Sequence, residues 1–277
     1  MNVNKAMQIA LKKVNDNVTF RTIDAKVLIC YVLGISISEF ALSRRYLNLT
    51  EEQEEEYFEY INQINNGKPL QYITHESFFM NTKLYVDENV LIPQPDTEIL
   101  VEKAIDIINN KNKKNIKVLD LCTGSGAIAI SLKQELKDRV EVFASDISEA
   151  ALDVAKRNVS NILGEKDSIK FIKSNMFERI NEKFDIIVSN PPYIESEEIE
   201  NLPIDVQSEP HIALDGGKDG LKFYRIIKES ISEHLLPEGY LLMEIGYNQK
   251  DKMLKLFPGS ECIKDYSDND RLIVYKK

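Results

Sequence analysis

The sequence predicts an α/β protein in which a mostly parallel sheet, covered on both faces by helices, follows a small all-helical domain. Three observations carry this. Residues 1 to about 66 place apolar side chains at helical spacing only. From Lys117 onward, short β-forming runs alternate with helical segments, the pattern of a parallel sheet with crossover helices. Between the two, FFMNTKLYVDENVLI shifts towards period two, as a hairpin does.

The elements follow in order. Ala6, Ile9, Ala10 and Val14 share one stripe of a first helix. Residues 24–33 form a second, stopped by Gly34. Thr50-Glu51-Glu52-Gln53 is a capping box opening a third, with Gly67 and Pro69 as stop signals. The acidic run EEQEEE reads as a solvated face complementing the helix dipole rather than a basic partner's target. Pro93 and Pro95 stiffen the entry to a helix over 96–110. Strands are expected at 118–121, 140–145, 169–172, 184–189 and 240–245, and helices at 127–136, 149–159 and 221–234. Two last strands, 260–266 and 272–275, are joined closely enough to make an antiparallel edge. The predicted domains are 1–76, helical; 77–95, a β-hairpin linker; and 96–277, the α/β domain. No internal repeat or low-complexity segment interrupts them.

Composition narrows the function classes. No apolar run approaches the length of a bilayer span, and the amphipathic N-terminus lacks a signal-peptide core. Three widely spaced cysteines (Cys30, Cys122, Cys262) form no metal-ligand pattern and indicate a reducing, cytoplasmic compartment. The formal net charge of -10 repels nucleic acid phosphates.

VLDLCTGSGAIAI sets a strand, a glycine turn and a helix in succession. Gly124 and Gly126 let backbone approach a ligand, and the helix start offers unpaired N–H groups. Asp146, after the next strand in VFASDIS, suits a ribose diol because a carboxylate accepts both hydroxyl protons. The same residues match a dinucleotide fingerprint, and Gly124 as a plain turn or Asp146 as a plain helix cap would explain them too. Two features favour S-adenosylmethionine over NAD. Asp120 precedes the loop, awkward beside a pyrophosphate but suited to a cationic amino-acid end. The second is FDIIVSNPPYIESEE.

In that stretch a β-forming run ends in Asn190, Pro191, Pro192 and Tyr193. The prolines fix φ and offer no N–H, and Pro191 pushes Asn190 towards extended backbone. The result is a stiff loop holding a side-chain amide at a strand end, facing the crevice where open α/β sheets bind ligands. The Asn190 oxygen and the Pro191 carbonyl can accept both protons of a planar NH2 group, a poor nucleophile, and fix its nitrogen for in-line methyl transfer. They also stabilise positive charge developing on that nitrogen. Tyr193 offers a flat face for stacking. No acidic or basic side chain is required. This pattern leaves adenine N6, cytosine N4, guanine N2 and a glutamine amide open as acceptors. A non-catalytic nucleotide-binding module would leave the tetrapeptide unexplained.

GKPLQYI, VLIPQPDTEILVE, VLDLCTGSGAIAI, SNMFERI, FDIIVSNPPYI, SEPHIALDGGKDGLKFYRII and YSDNDRLIVYKK run in order from Gly67 to the C-terminus. Together they resemble the release factor glutamine methyltransferases; nucleic acid amino-methyltransferases share the tetrapeptide but not VLIPQPDTE or GGKDGL. The first 66 residues resemble the family in helical character and length. The resemblance implies a Rossmann-like class I S-adenosylmethionine-dependent methyltransferase domain with a seven-stranded mixed sheet. It implies methylation of the side-chain nitrogen (N5) of the glutamine in the GGQ motif of peptide chain release factors. The enzyme is expected to be a monomer, with S-adenosylmethionine as cofactor, no metal, and neither nucleic acid nor membrane as partner. Carried over by motif, Thr123, Gly124, Ser125 and Gly126 hold the cofactor's methionine end, Asp146 its ribose, and Met176 lies by the adenine; Asp120 and Cys122 are also expected at the cofactor, with Asn190 touching both ligands. Asn190 and Pro191 accept from the substrate amide, and Pro192 and Tyr193 shape its slot. The helical domain is expected to recognise the folded release factor. Four positions depart from the family pattern. Cys122 replaces a glycine and reads as a buried, inert thiol; Gln94 replaces an arginine, Met176 an aromatic residue, and Asn175 an aspartate.

Overall fold

A computed structural model describes residues 1–15, 18–164 and 169–277. They fall into two units: Met1–Glu76 with Glu200–Glu209, and Ser77–Ile199 with Pro210–Lys277.

The first unit is helical: α1 (Val3–Lys13), α2 (Thr22–Leu33), α3 (Ile37–Ser43), α4 (Glu51–Asn65) and the short α5 (Leu70–Thr74). Its boundaries follow local chemistry. Thr50 accepts from the Gln53 N–H while the Gln53 side chain accepts from the Thr50 N–H, the reciprocal cap expected from sequence. Gly34 ends α2 in the left-handed region, φ 63°. Ser36 and Glu39 make a second capping box, opening the helix α3 that the apolar pattern does not predict. Leu28, Ile29, Phe40, Tyr57 and Ile61 form the core, and Ile204 from the later segment packs on it. Gly67 is required where that segment crosses: its φ is 91°, and a Cβ would lie 2.8 Å from Ile204 Cγ1.

The second unit opens with a hairpin, β1 (Glu76–Phe79) and β2 (Thr82–Tyr85). Met80 and Asn81 both have positive φ, the two-residue turn whose twist matches paired strands. The strands are shorter than the period-two run, and the hairpin belongs to this unit's core through Phe79 and Leu84. After a single 3-10 turn, Pro95–Thr97, come α6 (Glu98–Asn110), β3 (Ile116–Leu121), α7 (Ala127–Leu136), β4 (Val140–Asp146), α8 (Glu149–Ile162), β5 (Lys170–Lys173) and β6 (Phe184–Ser189). Then follow α9 (Lys222–His234), β7 (Leu235–Glu244), α10 (Lys250–Leu256), β8 (Glu261–Lys264) and β9 (Asp270–Lys276).

The seven strands run β5-β4-β3-β6-β7-β9-β8. The first five are parallel, and β9 is antiparallel to both neighbours, so the mixed sheet and its antiparallel edge are as the sequence predicts. Side chains alternate across β3: Val118 joins the layer with α6 and α7, and Leu119 the layer with α9 and α10. The chain winds outward through β4 and β5, then returns to place β6 on the other side of β3. That reversal opens a crevice at the carboxyl ends of β3 and β6.

Candidate active site

β3 ends at Leu121 and the chain turns at once through Cys122, φ 65°, and Gly124, φ 52°. The turn is tied on three sides. The Thr123 N–H donates to the Ser145 carbonyl of β4 at 2.9 Å. Asp120, fully buried, accepts through Oδ2 from the Thr123 hydroxyl at 2.6 Å and from the Ala129 N–H at 3.1 Å, fastening the loop to the first turn of α7. Asn158 of α8, 1 % exposed, donates to the Ser125 carbonyl at 2.9 Å and clamps the backbone N–H and carbonyl of Tyr85 in β2. Gly126 starts α7 at φ 83°, and a Cβ there would stand 3.1 Å from that of Ala155, so the glycine permits close approach of α8.

Asp146 closes the loop from the end of β4. Its Oδ2 accepts from the Gly124 N–H and its Oδ1 from the Ser148 N–H, both at 2.9 Å. Ser148 rather than Asp146 caps α8, its hydroxyl accepting from the Ala151 N–H at 3.2 Å, and each Asp146 oxygen keeps a second lone pair for a ligand hydroxyl. Burial raises its pKa, and the backbone donors pull it back towards the charged form.

At the end of β6 the Ser189 hydroxyl donates to the Leu121 carbonyl at 2.7 Å, binding the second loop to the first. Asn190 Nδ2 donates to Thr97 Oγ1 at 3.2 Å. The Thr97 hydroxyl donates to Glu244 Oε2 at 2.6 Å, and the Tyr193 hydroxyl to Glu244 Oε1 at 3.2 Å. Glu244 is 3 % exposed, and burial pushes its pKa up to about 7 against the pull of Thr97 and Arg271. Arg271 in turn is held by Asp265 at 3.1 Å and Asp96 at 3.2 Å. Behind the loop, Gly216 packs so closely that a Cβ would lie 2.7 Å from Tyr193 Cα, and Gln249 donates to the Tyr193 carbonyl at 2.9 Å.

These loops border a cavity of about 410 Å³. Cys122, Thr123, Gly124, Ser125, Asp146, Met176, Asn190 and Pro192 line it. The structure thus brings the glycine loop, the acid of β4 and the amide of β6 to one space. Four expected site residues stand behind its wall. Asp120 turns into the loop it fastens, and its other oxygen, Oδ1, is buried without a partner. Gly126 faces α8, as above. Pro191 is buried. Tyr193, expected as a stacking face, is instead drawn back by its bond to Glu244 and buttresses the loop.

The departures from the family pattern also become concrete. Cys122 takes the left-handed conformation that favours glycine, at a cost of about 1–2 kcal/mol. Its thiol lies 3.9 Å from Met176 Sδ, and burial with Asp146 and Asp120 nearby pushes its pKa far up, which suits the inert role expected of it. Met176 also has positive φ, 48°, held by Ser174, whose hydroxyl donates to the Met176 carbonyl at 2.8 Å. Gln94 spends its amide on the Ile92 carbonyl, and Asn175 donates to Glu178. Sequence reasoning missed Thr97, Glu244, Arg271 and Asn158. Thr97 and Arg271 sit inside quoted motifs without chemistry of their own to mark them, and Glu244 and Asn158 carry no local signal.

The space and its donor set fit a nucleoside with an amino-acid tail. Ligand cavities run from about 300 to 1,000 Å³, mostly apolar with few convergent polar groups. Here Leu121, Ile128, Met176, Phe223 and Ile226 provide apolar wall, and Asp146 and Lys222 are its charged groups. Among the described residues, no group of three or more acidic, His or Cys side chains is placed to hold a metal ion.

The family model "PrmC N-terminal domain" matches residues 6–74, and "Methyltransferase small domain" matches 96–204. The chain is 41% identical over 273 residues to the release factor glutamine methyltransferase of Clostridium acetobutylicum, covering 95% of this chain and 93% of that one. It is 37% identical over 282 residues to the protein of the same name from Buchnera aphidicola subsp. Schizaphis graminum, covering 100% of both. Among solved structures, the hMettl16 catalytic domain superposes with a TM-score of 0.55 at 15% identity, covering 74% of this chain and 88% of that one, a likeness of fold alone.

Proposed function

The chain belongs to the release factor glutamine methyltransferase family, and from that premise we propose that its proline-locked Asn190 holds the glutamine amide that is methylated. The protein is an S-adenosylmethionine-dependent methyltransferase acting on glutamine in peptide chain release factors. The substrate is further specified as N5 of the glutamine in the GGQ motif.

The observation that carries the reading is the direction of the Asn190 amide. Its NH2 end is given to Thr97, so its oxygen is the end left for a ligand, and the side chain lines the cavity. A glutamine NH2 is a weak nucleophile because its lone pair is delocalised into the carbonyl. S-adenosylmethionine supplies a methyl group already activated by sulfonium charge. What remains for the protein is positioning and charge. Asn190 Oδ1 accepts one N–H bond and holds the nitrogen in line, while Pro191, behind the wall, keeps the loop rigid. As the nitrogen becomes cationic that bond strengthens, so it favours the transition state over the ground state. Cys122, Thr123, Gly124 and Ser125 receive the cofactor's methionine end, Asp146 accepts from its ribose hydroxyls, and Met176 covers its adenine. Pro192 narrows the slot for the substrate amide, and the apolar wall limits water.

The helical unit is assigned to recognition of the release factor. Its exposed Leu42 and Tyr46, 88% and 83% accessible, support that role. The net charge of -10 favours a protein partner over nucleic acid. Three free cysteines favour work in the reducing cytoplasm, and the protein is taken to act as a monomer. Among the described residues, no single helix is long and apolar enough to cross a membrane.

The test is mass spectrometry of a purified release factor after incubation with enzyme and S-adenosylmethionine. One added methyl on the GGQ glutamine is expected. Asn190→Ala should reduce transfer by about 10²–10³, the usual cost of one preorganised transition-state hydrogen bond. Asn190→Asp should also turn over poorly, because its charge favours the cationic ground-state cofactor more than a transition state whose charge has partly moved. Near-normal turnover in Asn190→Ala would remove Asn190 from the chemistry.

A further inference from the structure

We propose that Thr97 and Glu244 are positioning residues that lock the Asn190 amide with its oxygen towards the substrate, so that turnover depends on Glu244 acting as an acceptor. The inference rests on the role given to Asn190 above and adds what sets that side chain's orientation. An asparagine amide is nearly symmetric in shape and can fit a slot either way round. Nothing in the NPPY loop itself selects the productive way: Pro191 and Pro192 restrain backbone, not the last torsion of Asn190.

The selection is made outside the loop. Thr97 Oγ1 has one proton and faces two partners, Glu244 Oε2 at 2.6 Å and Asn190 at 3.2 Å. An ionised carboxylate only accepts. With Glu244 charged, the Thr97 proton must go to it, and Thr97 can then only accept from Asn190. The NH2 end is thereby drawn to Thr97 and the oxygen is turned away from it. Glu244 protonated on Oε2 donates instead. The Thr97 proton is then released towards Asn190, the amide reverses, and its NH2 end meets the substrate NH2, donor against donor.

Glu244 is built to report this. It sits at the end of β7, 3 % exposed, and makes no part of the cavity wall, so it is neither a base nor a ligand contact. Every element around it contributes a group: Thr97 from the turn before α6, Tyr193 from the loop after β6, Arg271 from β9 and Asp96 beside Thr97. From α9 the Tyr224 hydroxyl donates to the Glu244 backbone carbonyl at 2.7 Å. Burial outweighs the nearby Arg271 and leaves the carboxyl titrating near neutrality, at about 7. The charged, locking form therefore prevails above that pH and is lost below it.

The test measures kcat at saturating cofactor and saturating release factor, from about pH 5.5 to about pH 8.5, with S-adenosylhomocysteine affinity alongside. Saturation removes the effects of pH on ligand affinity, including any from Asp120, which also titrates near 7 at the glycine loop. Thr97→Val keeps the shape and removes both hydrogen bonds; kcat is expected to fall tenfold or more while S-adenosylhomocysteine affinity stays within about twofold. Thr97→Ser restores the hydroxyl and is expected to recover most of that loss. Wild type should lose kcat as pH falls through about 7. Glu244→Gln, isosteric and unable to titrate, should turn over more slowly than wild type at pH 8 and lack the acidic limb. A kcat for Thr97→Val within twofold of wild type, or an acidic limb unchanged in Glu244→Gln, overturns the proposal. Asn190→Ala, run in parallel, keeps the two readings apart. If it is inactive while Thr97→Val is normal, the relay is wrong and the grip stands; if it too is normal, the grip itself fails.

Discussion

Replacing Asp120 with asparagine should make this protein more stable at neutral pH, by an amount that grows with pH. The carboxyl is fully buried, both of its hydrogen bonds fall on Oδ2, and Oδ1 has no partner. Burial raises its pKa from an ordinary 3.8 to about 7. Between those values the folded state keeps a proton that the unfolded chain has released. The group's contribution is thus fully present below about pH 4 and is lost as pH rises through about 7. Each pH unit in that window is worth about 1.4 kcal/mol, on the order of 4 kcal/mol over the whole of it. Asparagine keeps both bonds with its oxygen in the place of Oδ2, puts an NH2 where the unpartnered oxygen was, and carries no charge in either state. The stability difference between variant and wild type should therefore widen by roughly 3 kcal/mol between pH 5 and pH 8. Glu244 titrates alike in both proteins and cancels. Urea unfolding followed by far-ultraviolet circular dichroism measures it, the chain having no tryptophan. A difference constant within about 0.5 kcal/mol across that range would show that Asp120 is charged at neutrality and the reasoning wrong. Because Asp120 stands behind the wall, S-adenosylhomocysteine affinity should change only a few-fold; a hundredfold loss would mean that Oδ1 reaches the ligand after all.

Asp146→Ala should weaken S-adenosylmethionine binding by about 10–100-fold, since a charge-assisted bond is worth about 1.5–3 kcal/mol, and abolish most of the cofactor-induced rise in melting temperature. Asn158→Leu should cost about 2–4 kcal/mol in urea unfolding, because it strips partners from the Tyr85 backbone and the buried Ser125 carbonyl at once; a loss below 1 kcal/mol would show that these groups find other partners. Leu42→Glu with Tyr46→Ala should raise KM for intact release factor several-fold with kcat unchanged, and an unaltered KM would exclude this face from docking.

The order and type of the main sheet elements could be read from sequence because they rest on periodicity and punctuation, both local. The capping box at Thr50 and the Gly34 stop are of this kind. So is β6, whose six residues are all buried, giving an unbroken apolar run apart from Asp185 and Ser189. What was not legible depends on distant chain. The segment Glu200–Glu209 joins the helical unit although the rest of its surroundings in sequence lie in the other. Its only sequence trace is Gly67, which reads as a helix stop yet is needed to admit Ile204. The strand β7 begins at Leu235 rather than 240 because Leu235 pairs with Phe184 across a register shift, ahead of Pro237 and Gly239 that look like a turn.

The site divides along the same line. Groups placed by their own turn, Gly124 and Asn190, announce themselves through glycine and proline, and Asp146 through its place at a strand end. Groups that act by holding those turns do not. Asn158 is an ordinary helix residue until Tyr85 and Ser125 fold against it. Thr97, Asn190 and Glu244 lie 93 and 147 positions apart by their bonds, and no spacing rule links them. Tyr193 shows what such distant contacts add. Its place after two prolines suggested a stacking face, but that inference priced only the ring. The hydroxyl found a buried carboxylate, and a buried charge with few donors outweighs the modest gain of an exposed stack. An aromatic beside a catalytic loop is therefore safely assigned to the ligand only when its polar tip has nowhere else to bond, and in tyrosine that condition is set by strands the motif does not contain.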